Sequence, residues 1–291
     1  EIQIPSQETV GRRHCRVALL PDCHVKPGRV NEVPSRPTRR LYGCALQLLE
    51  TYLQRLAPKV DAIFLLGDTL DPANAETLEW LRRQIAATAT PVHVLIGNHE
   101  THGSVSAEAF HLALGLPADG NQVVRVNDVP FLMLATPSQE SLAPRSVGYE
   151  WLVTSLEEFS DEDLFCCAHF SLFLHPCVQG ARNDGMQELW SGREVLALLR
   201  RYPNVRAWIA GHKNIPSSVI RDGVLHLLSP QLIQAPCGYR ILDIHKNGIL
   251  SRTYEIEESH LARLSRHSYG AGYAERHGKE EDRDFWWPFG P

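Results

Sequence analysis

The sequence predicts an α/β fold in which two β-sheets pack face to face and helices cover their outer faces. In about the first hundred residues, short apolar runs that end at Pro or Gly alternate with segments of helical spacing, which is the order of βαβ units in a largely parallel sheet. Later, Asp222-Gly223 and Asn247-Gly248 each separate two strand-like runs and predict hairpins. The change from βαβ units to hairpins favours two sheets over a single one.

The predicted elements follow one another without an internal repeat. Buried strands are predicted at residues 16–20, 62–66, 92–96, 164–168 and 205–210. Hairpins are predicted from the pairs 123–126 with 131–135, 219–221 with 224–228, and 239–244 with 249–254. Helices are predicted at residues 37–56, 74–87, 193–202 and 255–267, where apolar residues recur at helical spacing.

The chain divides into one large domain over residues 1–255 and a C-terminal segment over residues 256–291. At about residue 255 the strand-like runs give way to a helix, and then to a stretch rich in Gly, Tyr and charge that ends in Phe285-Trp286-Trp287-Pro288-Phe289. We expect this aromatic tail to pack on the domain. A contact between subunits of a homo-oligomer and a lid over the site are the alternatives.

Charge and composition exclude several classes of protein. The chain has 29 Lys and Arg against 34 Asp and Glu, a formal net charge of −5, so it lacks the basic surface of general nucleic-acid-binding proteins. A small phosphorylated substrate is compatible with this charge. No apolar stretch approaches the roughly 20 residues of a transmembrane helix, and the seven irregularly spaced cysteines do not suggest a disulfide framework. We expect a cytoplasmic protein without a membrane partner, although a leader before Glu1 is an open alternative.

Side chains that can bind metal ions follow five of the predicted strands. The segments are Asp22-Cys23-His24, Gly67-Asp68, Gly97-Asn98-His99-Glu100, His169 and Gly211-His212-Lys213-Asn214. Taken singly, each has an ordinary explanation, since Gly-Asp is a common turn and a lone His usually forms local hydrogen bonds. In an open α/β sheet, however, binding sites form at the carboxyl ends of the strands. Together the segments predict a site with carboxylate, amide and imidazole donors, which suit Mn²⁺, Fe, Zn²⁺ or Co²⁺.

In this order the five segments resemble the motifs of the calcineurin-like metallophosphoesterases, which read Asp-x-His, Gly-Asp, Gly-Asn-His-Asp/Glu, His and Gly-His-x-His. The resemblance spans about residues 15–255. It implies a four-layer αββα sandwich of two mixed β-sheets flanked by helices, with a centre of two divalent metal ions. It assigns Asp22 and His24 to the first ion and Asp68 to both ions. The ligands that it assigns to the second ion are Asn98, His169 and His212.

The resemblance also implies a hydrolase of phosphodiesters or phosphomonoesters, with a small nucleotide or related metabolite as the expected substrate. Two metal ions can activate water and stabilise an in-line displacement at phosphorus, so the expected nucleophile is a hydroxide that bridges them. Mn²⁺ is the expected metal, with Fe, Zn²⁺, Co²⁺ and Mg²⁺ as alternatives. The expected catalytic residues are Asp68 and His99, of which His99 would protonate the leaving oxygen rather than bind metal.

The last motif departs from the family pattern, because Asn214 stands where the family has a second histidine. An amide oxygen is a harder and weaker donor than imidazole. Three outcomes are open: Asn214 binds the first ion and biases it toward Mn²⁺ or Mg²⁺, water replaces it, or the first site is lost. We favour the first outcome because Asp22, His24 and Asp68 are intact. The third would leave a non-catalytic or weakly active protein-binding scaffold, which is the alternative function.

Basic residues near the motifs are candidates for substrate binding. Residues 25–40 include five of them and follow the first ligand pair directly, and arginine side chains suit phosphate groups because they can form paired hydrogen bonds. From this segment we predict substrate contacts for Arg29, Arg36 and Arg39, and from a later loop for Arg182. A solvated basic loop without a role in binding is the alternative.

Overall fold

Two mixed β-sheets of six strands each lie at the centre of the structure, a computed structural model that describes residues 10–28, 32–176 and 188–290. The strands are β1 (Arg13–Leu19), β2 (Ala62–Leu66), β3 (Val92–Leu95), β4 (Gln122–Val126), β5 (Val129–Leu134), β6 (Leu164–Ala168), β7 (Val205–Ala210), β8 (Ser217–Arg221), β9 (Val224–Leu228), β10 (Gly238–His245), β11 (Gly248–Glu255) and β12 (Phe285–Pro288). The first sheet has the order β12-β11-β10-β1-β2-β3, and the second has the order β4-β5-β6-β7-β9-β8. The predicted fold class is confirmed.

Helices cover the outer faces of both sheets. They are α1 (Ala45–Leu56), α2 (Ala75–Ala87), α3 (Ala107–Ala113), α4 (Val147–Glu158), α5 (Gly192–Leu199), α6 (Ser259–Tyr269), α7 (Tyr273–His277) and α8 (Glu280–Arg283). Leu49 of α1 shares a buried apolar cluster with Ile63 of β2. On the other side of the molecule, Leu152 of α4 and Val195 of α5 share a cluster with Leu132 of β5. The layers are therefore helix, sheet, sheet and helix.

The two sheets pack against each other through a core of aromatic and branched side chains. The rings of Phe64, Phe131 and Phe165 lie in a row, with 5.0 Å and 5.2 Å between the centroids of successive rings. Strand residues alternate between this core and the helix layers, so Val17 of β1 belongs to the core between the sheets and Ala18 to the helix side. Because both faces of the central strands are buried, these strands are continuous apolar runs in the sequence.

The parallel parts of the two sheets end at the same edge of the molecule. Strands β1, β2 and β3 are parallel, and so are β5, β6, β7 and β9. His169 directly follows β6, and its Nδ1 lies 2.9 Å from the carbonyl oxygen of Leu66 at the end of β2. This hydrogen bond joins the carboxyl ends of the two sheets, which are the ends where the metal-binding motifs occur.

The segment before α1 departs from the predicted helix over residues 37–56. The α-helix begins only at Ala45, because the preceding residues form hydrogen bonds with a distant part of the chain. The N–H of Leu41 donates to the carbonyl of Ile233 at 2.7 Å, and Arg40 forms an isolated β-bridge with Gln234. A tertiary contact therefore overrides the local helical spacing. Helices α3 and α4 are a further difference, because the sequence does not predict either of them.

The C-terminal tail is an edge strand of the first sheet. β12 pairs antiparallel with β11, and the rings of Trp287 and Phe289 pack against the core between the sheets. Helix α6 begins at Ser259 rather than at residue 255, because β11 continues to Glu255. The division of the chain into two parts at residue 255 stays a prediction.

Cysteines and helix lengths can be compared with the expectations from composition. The described cysteines are buried and form no disulfide, and burial raises the pKa of Cys166 to about 12, which disfavours a reactive thiolate. Within the described ranges, no helix combines the length and the apolar composition that a membrane crossing requires.

Arg240 of β10 ties both sheets to the C-terminal segment. Its side chain is completely buried. Its guanidinium donates to the hydroxyl of Ser251 in β11 at 2.6 Å, and to the carbonyls of Leu228 in β9 at 3.2 Å, Asp282 at 2.9 Å and Arg283 at 3.2 Å. The carbonyls of Leu228 and Asp282 thus accept from a buried side chain, whereas the carbonyl of Arg283 also accepts from the hydroxyl of Thr253 at 3.0 Å.

We expect Arg240→Met to lower the free energy of unfolding by about 3 kcal/mol, because buried acceptors left without a donor are costly. Urea unfolding followed by circular dichroism measures the change. Arg193→Met is the matched control, since Arg193 is exposed at the start of α5. Equal unfolding midpoints for the two variants would show that Arg240 does not stabilise the C-terminal segment.

Candidate metal centre

The loops after β1, β2 and β7 hold their donor residues in a strained backbone conformation. The residues with positive φ are Asp22 (55°), His24 (47°), Asp68 (52°), His212 (63°) and Asn214 (61°). A non-glycine residue in this region is disfavoured by roughly 1–2 kcal/mol. Such strain persists only where the surrounding structure enforces it, and it concentrates at functional sites. Its presence at five of the predicted ligands supports a shared role for these loops.

Backbone hydrogen bonds join the first two of these loops. The N–H of Asp22 donates to the carbonyl of Gly67 at 2.9 Å, and the N–H of His24 donates to the carbonyl of Asp68 at 2.8 Å. Gly67 has a φ of 87°, and a Cβ atom there would lie 2.6 Å from Nδ1 of His169. Only glycine therefore allows the first two loops and His169 to come this close.

Asp68 belongs to two of the three groups of potential metal ligands in the described residues, and the third group is His24, Asp71 and His99. In one group the ligand atoms of Asp22, His24 and Asp68 all lie within 4.8 Å of one another, and in the other those of Asp68, His169 and His212 do. Oδ2 of Asp68 is 3.2 Å from Nε2 of His169, which is in turn 3.2 Å from Nδ1 of His212. This placement is what a carboxylate bridging two metal ions requires.

Several predicted ligand atoms are buried without a hydrogen-bond partner. Among the described residues, these atoms include Oδ1 of Asp22, Nε2 of His24, Oδ1 of Asn98 and Oδ1 of Asn214. Buried polar atoms in proteins are nearly always satisfied, and each exception needs an explanation. Divalent cations coordinated by these oxygen and nitrogen atoms would satisfy them, so the residues fit a metal centre.

The orientation of Asn214 follows from one hydrogen bond. Its Nδ2 donates to the carbonyl of His212 at 3.0 Å. Because only the nitrogen of an amide can donate, this contact identifies the other amide atom as the oxygen, and that oxygen is the buried atom without a partner. Asn214 therefore presents an acceptor rather than a donor, as a metal ligand must.

Electrostatics at the centre are dominated by two buried carboxylates. Burial acts to raise the pKa of Asp68, but the charge and hydrogen bond of His169 outweigh it and the pKa is lowered. For Asp22, burial and the neighbouring Asp68 charge keep the pKa raised. Burial would lower the pKa of His169, yet the Asp68 carboxylate raises it to about 9. The carboxylates thus favour positive charge around them, whether from imidazolium or from a metal cation.

Asp71 orients two of the histidines, although sequence reasoning did not single it out. Its Oδ2 lies 3.4 Å from Nδ1 of His24, and its Oδ1 lies 2.8 Å from Nδ1 of His99. A carboxylate at Nδ1 directs the opposite nitrogen, Nε2, toward a metal ion or a substrate. The only sequence signal for this role is an aspartate three positions after Asp68.

Glu100 joins the loop after β2 to the loop after β3 through hydrogen bonds to their backbone. Its fully buried carboxylate accepts hydrogen bonds from the backbone N–H groups of Asp68 at 3.0 Å, Leu70 at 2.9 Å and Gly97 at 2.8 Å. Burial and the Asp68 charge raise the pKa of Glu100 to about 7, and the backbone donors oppose that rise. The Glu of Gly-Asn-His-Glu is therefore a positioning residue.

Comparison with known proteins agrees with this geometry. The sequence profile described as calcineurin-like phosphoesterase matches residues 15–216, which is more than half of the chain. The chain belongs to this family. The resemblance predicted from the five motifs is thereby confirmed.

Two solved structures share the fold of this calcineurin-like phosphoesterase. A dimetal phosphatase from Danio rerio has a TM-score of 0.65 and 17% identity, over 83% of this chain and 96% of that one. GAP50, the anchor in the inner membrane complex of Plasmodium, has a TM-score of 0.57 and 10% identity, over 85% of this chain and 86% of that one. At these identities the likeness establishes the fold alone. No curated protein matches the sequence significantly.

The arginines predicted to bind substrate lie outside this ligand cluster or outside the described residues. Arg36 and Arg39 are exposed, and the guanidinium of Arg39 lies 5.5 Å from the ring centroid of Tyr269. Arg29 and Arg182 lie outside the residues that the structure describes. All four substrate contacts stay predictions.

Lys26 is a basic residue of the same segment that does reach the centre. Its Nζ lies 3.3 Å from Oδ2 of Asp71 and 4.4 Å from the ring centroid of Tyr42. The ring of Tyr42 in turn lies edge-on to the ring of His24, with 6.2 Å between their centroids. The first ligand pair is therefore bordered by a cation and an aromatic ring.

We expect Glu100→Gln to weaken metal binding by about 10- to 100-fold, the usual effect of losing an outer-shell partner. Glutamine has one acceptor oxygen, so at least one of the three N–H groups would face an amide NH₂ and the motif loops would shift. Titration with Mn²⁺, followed by calorimetry and metal analysis, measures the affinity. Glu108→Gln, at an exposed position of α3, is the control, and equal affinities of the two variants would rule out the positioning role.

Asn214→His tests whether Asn214 is a ligand. We expect the imidazole to raise occupancy of the first site and to shift its preference from Mn²⁺ toward Zn²⁺, because nitrogen donors suit zinc. Metal content after dialysis against mixed metals is the measurement, with Asn214→Ala as the variant that should lose occupancy. If neither variant changes metal content or preference, Asn214 does not coordinate.

Proposed function

We propose that this protein is a metal-dependent phosphoesterase that hydrolyses phosphodiesters or phosphomonoesters of small molecules such as nucleotides. The observation that carries the proposal is the shared position of Asp68 in two groups of potential ligands. Paired ion sites on one carboxylate suit phosphoryl chemistry, because two ions can stabilise both the attacking and the leaving oxygen. Membership of the family supports the same reaction class.

The chain supplies a ligand set for each ion. Asp22, His24, Asp68 and Asn214 would hold the first, and Asp68, Asn98, His169 and His212 the second. When bound, two divalent ions supply Lewis acidity and make water acidic enough to ionise near neutral pH. The buried loops keep these donors fixed before substrate arrives, so little reorganisation is needed during the reaction.

In this proposal, His99 protonates the leaving oxygen. Its side chain is 23% exposed, whereas the neighbouring Asp68 side chain is 2% exposed, so His99 is more accessible to a substrate than Asp68 is. Burial acts to lower the pKa of His99, but the hydrogen bond with Asp71 outweighs it, and the pKa is raised. With Nδ1 held by Asp71, Nε2 can donate its proton as the bond between phosphorus and the leaving oxygen breaks.

The first test is metal-dependent turnover. We expect Mn²⁺ to support hydrolysis of bis(p-nitrophenyl) phosphate, chelation to abolish it, and renewed Mn²⁺ to restore it. Asp68→Asn should bind less than two ions per chain and show no measurable turnover, since it removes the charge common to both ligand groups. Absence of turnover by the unaltered protein with every divalent metal, over a panel of mono- and diesters, would favour the protein-binding scaffold instead.

The role of His99 predicts a dependence on the leaving group. For the phenyl ester of thymidine 5′-phosphate, we expect His99→Ala to lower kcat by about 10²–10⁴-fold, the usual effect of losing a general acid. The p-nitrophenyl ester should suffer far less, because its leaving oxygen departs without a proton. His260→Ala, at an exposed position of α6, is the control. An equal loss with both esters would contradict proton donation by His99.

A further inference from the structure

Two partly buried arginines lie together beside the metal centre. Arg276 of α7 donates from Nη2 to the carbonyl of Asn214 at 3.0 Å and from Nε to the carbonyl of Ala235 at 3.3 Å. Arg40 donates from Nε to Oε1 of Gln234 at 2.9 Å. Arg276 lies beyond residues 15–216, the part of the chain that matches the family, so the family motifs do not account for it.

Neutral groups fix both guanidinium groups in place. Oε1 of Gln234 accepts from Arg40, and Nε2 of the same Gln234 donates to the hydroxyl of Tyr269. The ring of Tyr269 lies 5.3 Å from the guanidinium carbon of Arg276. The hydroxyl of Tyr42 accepts from Nη1 of Arg40 at 2.7 Å. This network joins the two cations through uncharged side chains and leaves little freedom for either.

The charge of the Asp22 carboxylate acts on both arginines, but Asp22 forms no ion pair with either of them. Over residues 10–28, 32–176 and 188–290, no Asp or Glu oxygen forms an ion pair with Arg40 or Arg276. Partly buried charges are normally paired. Two partly buried guanidinium groups without an ion-pair partner among the described residues are suited to bind an anion.

Arg40 also borders an open cleft. Arg40 and Tyr42 line a cleft of about 500 Å³ together with Glu32, Val33, Pro34, Ser35, Thr38 and Gly43. The ring of Tyr42 lies edge-on to the ring of His24, so the cleft adjoins the ligand set on the side of Arg40. Arg276 contacts the backbone of Asn214, which also belongs to that set. A substrate bound at the metal ions could therefore extend past Arg40 into the cleft, with Arg276 beside the ligand set.

We propose that Arg40 and Arg276 bind a second anionic group of the substrate, separate from the phosphoester that is hydrolysed. The substrate class is then a phosphoester with a further phosphate, phosphonate or carboxylate, rather than a simple alkyl or aryl ester. Two guanidinium groups suit such an anion because each can donate paired hydrogen bonds in a plane. This inference rests on the proposed phosphoesterase function and adds specificity to it.

Matched esters with the same leaving group test the proposal. Ethyl p-nitrophenyl phosphate carries only the reacting phosphate, whereas phosphonomethyl, 2-phosphonoethyl and 3-phosphonopropyl p-nitrophenyl phosphates add a second anion at increasing reach. In the Mn²⁺-loaded protein, kcat/KM for at least one phosphonoalkyl ester should exceed that of the ethyl ester by about 10- to 100-fold, the range for hydrogen bonds to charged groups. The preference should appear mainly in KM.

Substitutions then assign the preference to the arginine pair. Arg40→Gln and Arg276→Gln should each lower the ratio of kcat/KM between the phosphonoalkyl and ethyl esters by about tenfold or more. The ratio cancels any loss of activity that the two esters share. Arg40→Lys and Arg276→Lys keep the charge and should retain part of the preference, and they also serve if a glutamine variant does not fold. Arg263→Gln, at a residue that lines a different pocket, should leave the ratio unchanged.

The possible failures are distinguishable. Turnover of all esters at similar kcat/KM, or a preference that both glutamine variants retain, would overturn the second-anion site and leave the proposed function intact. An equal loss for both kinds of ester in both glutamine variants would mean that the arginines bind the reacting phosphate itself. Turnover of no ester by the metal-loaded protein would overturn the phosphoesterase function and, with it, this inference.

Discussion

The buried carboxylate of Asp68 is the constraint on which the rest of the centre depends. An ionised carboxylate that is almost inaccessible to water is stable only when positive groups or donors surround it. Imidazole rings on three different segments do so, and they lower its pKa despite its burial. The same charge raises the pKa of His169 and Glu100. The charge of Asp68 therefore affects several of its neighbours, and Asp68 also belongs to two of the groups of potential ligands.

The two β-sheets make this arrangement possible. Parallel strands from both sheets end at one edge, and the hydrogen bond between His169 and Leu66 joins these ends. The strained loops that carry Asp22 and Asp68 are unfavourable by themselves, so the packed core must supply the free energy that keeps them in place. Glu100 contributes from within the core by binding three backbone N–H groups. The packed fold thereby holds the donor atoms in fixed positions.

The C-terminal segment contacts both β-sheets and also a loop of the candidate metal centre. Its edge strand extends the first sheet, and Arg240 fastens it to strands of both sheets. Helix α7 of this segment brings Arg276 to the backbone of Asn214, the residue at which the ligand set departs from the family pattern. In the proposed function, the motif loops would provide the metal ligands, and Arg276, which lies beyond the family-matched residues, would add positive charge beside them.

Local patterns in the sequence were sufficient for the family and for most strands. Strands β2, β6 and β7 coincide with their predictions because each is an apolar run that a turn or a polar donor ends. The order of donor residues after these strands is also a property of the linear chain. Contacts between distant residues are not: Arg276 is 62 positions from Asn214, and the partners of Asp71 and Glu100 depend on how loops meet in space. The sequence therefore determined which donors exist, and tertiary structure decided which residues orient them, because backbone hydrogen bonds and burial join segments that no local pattern relates.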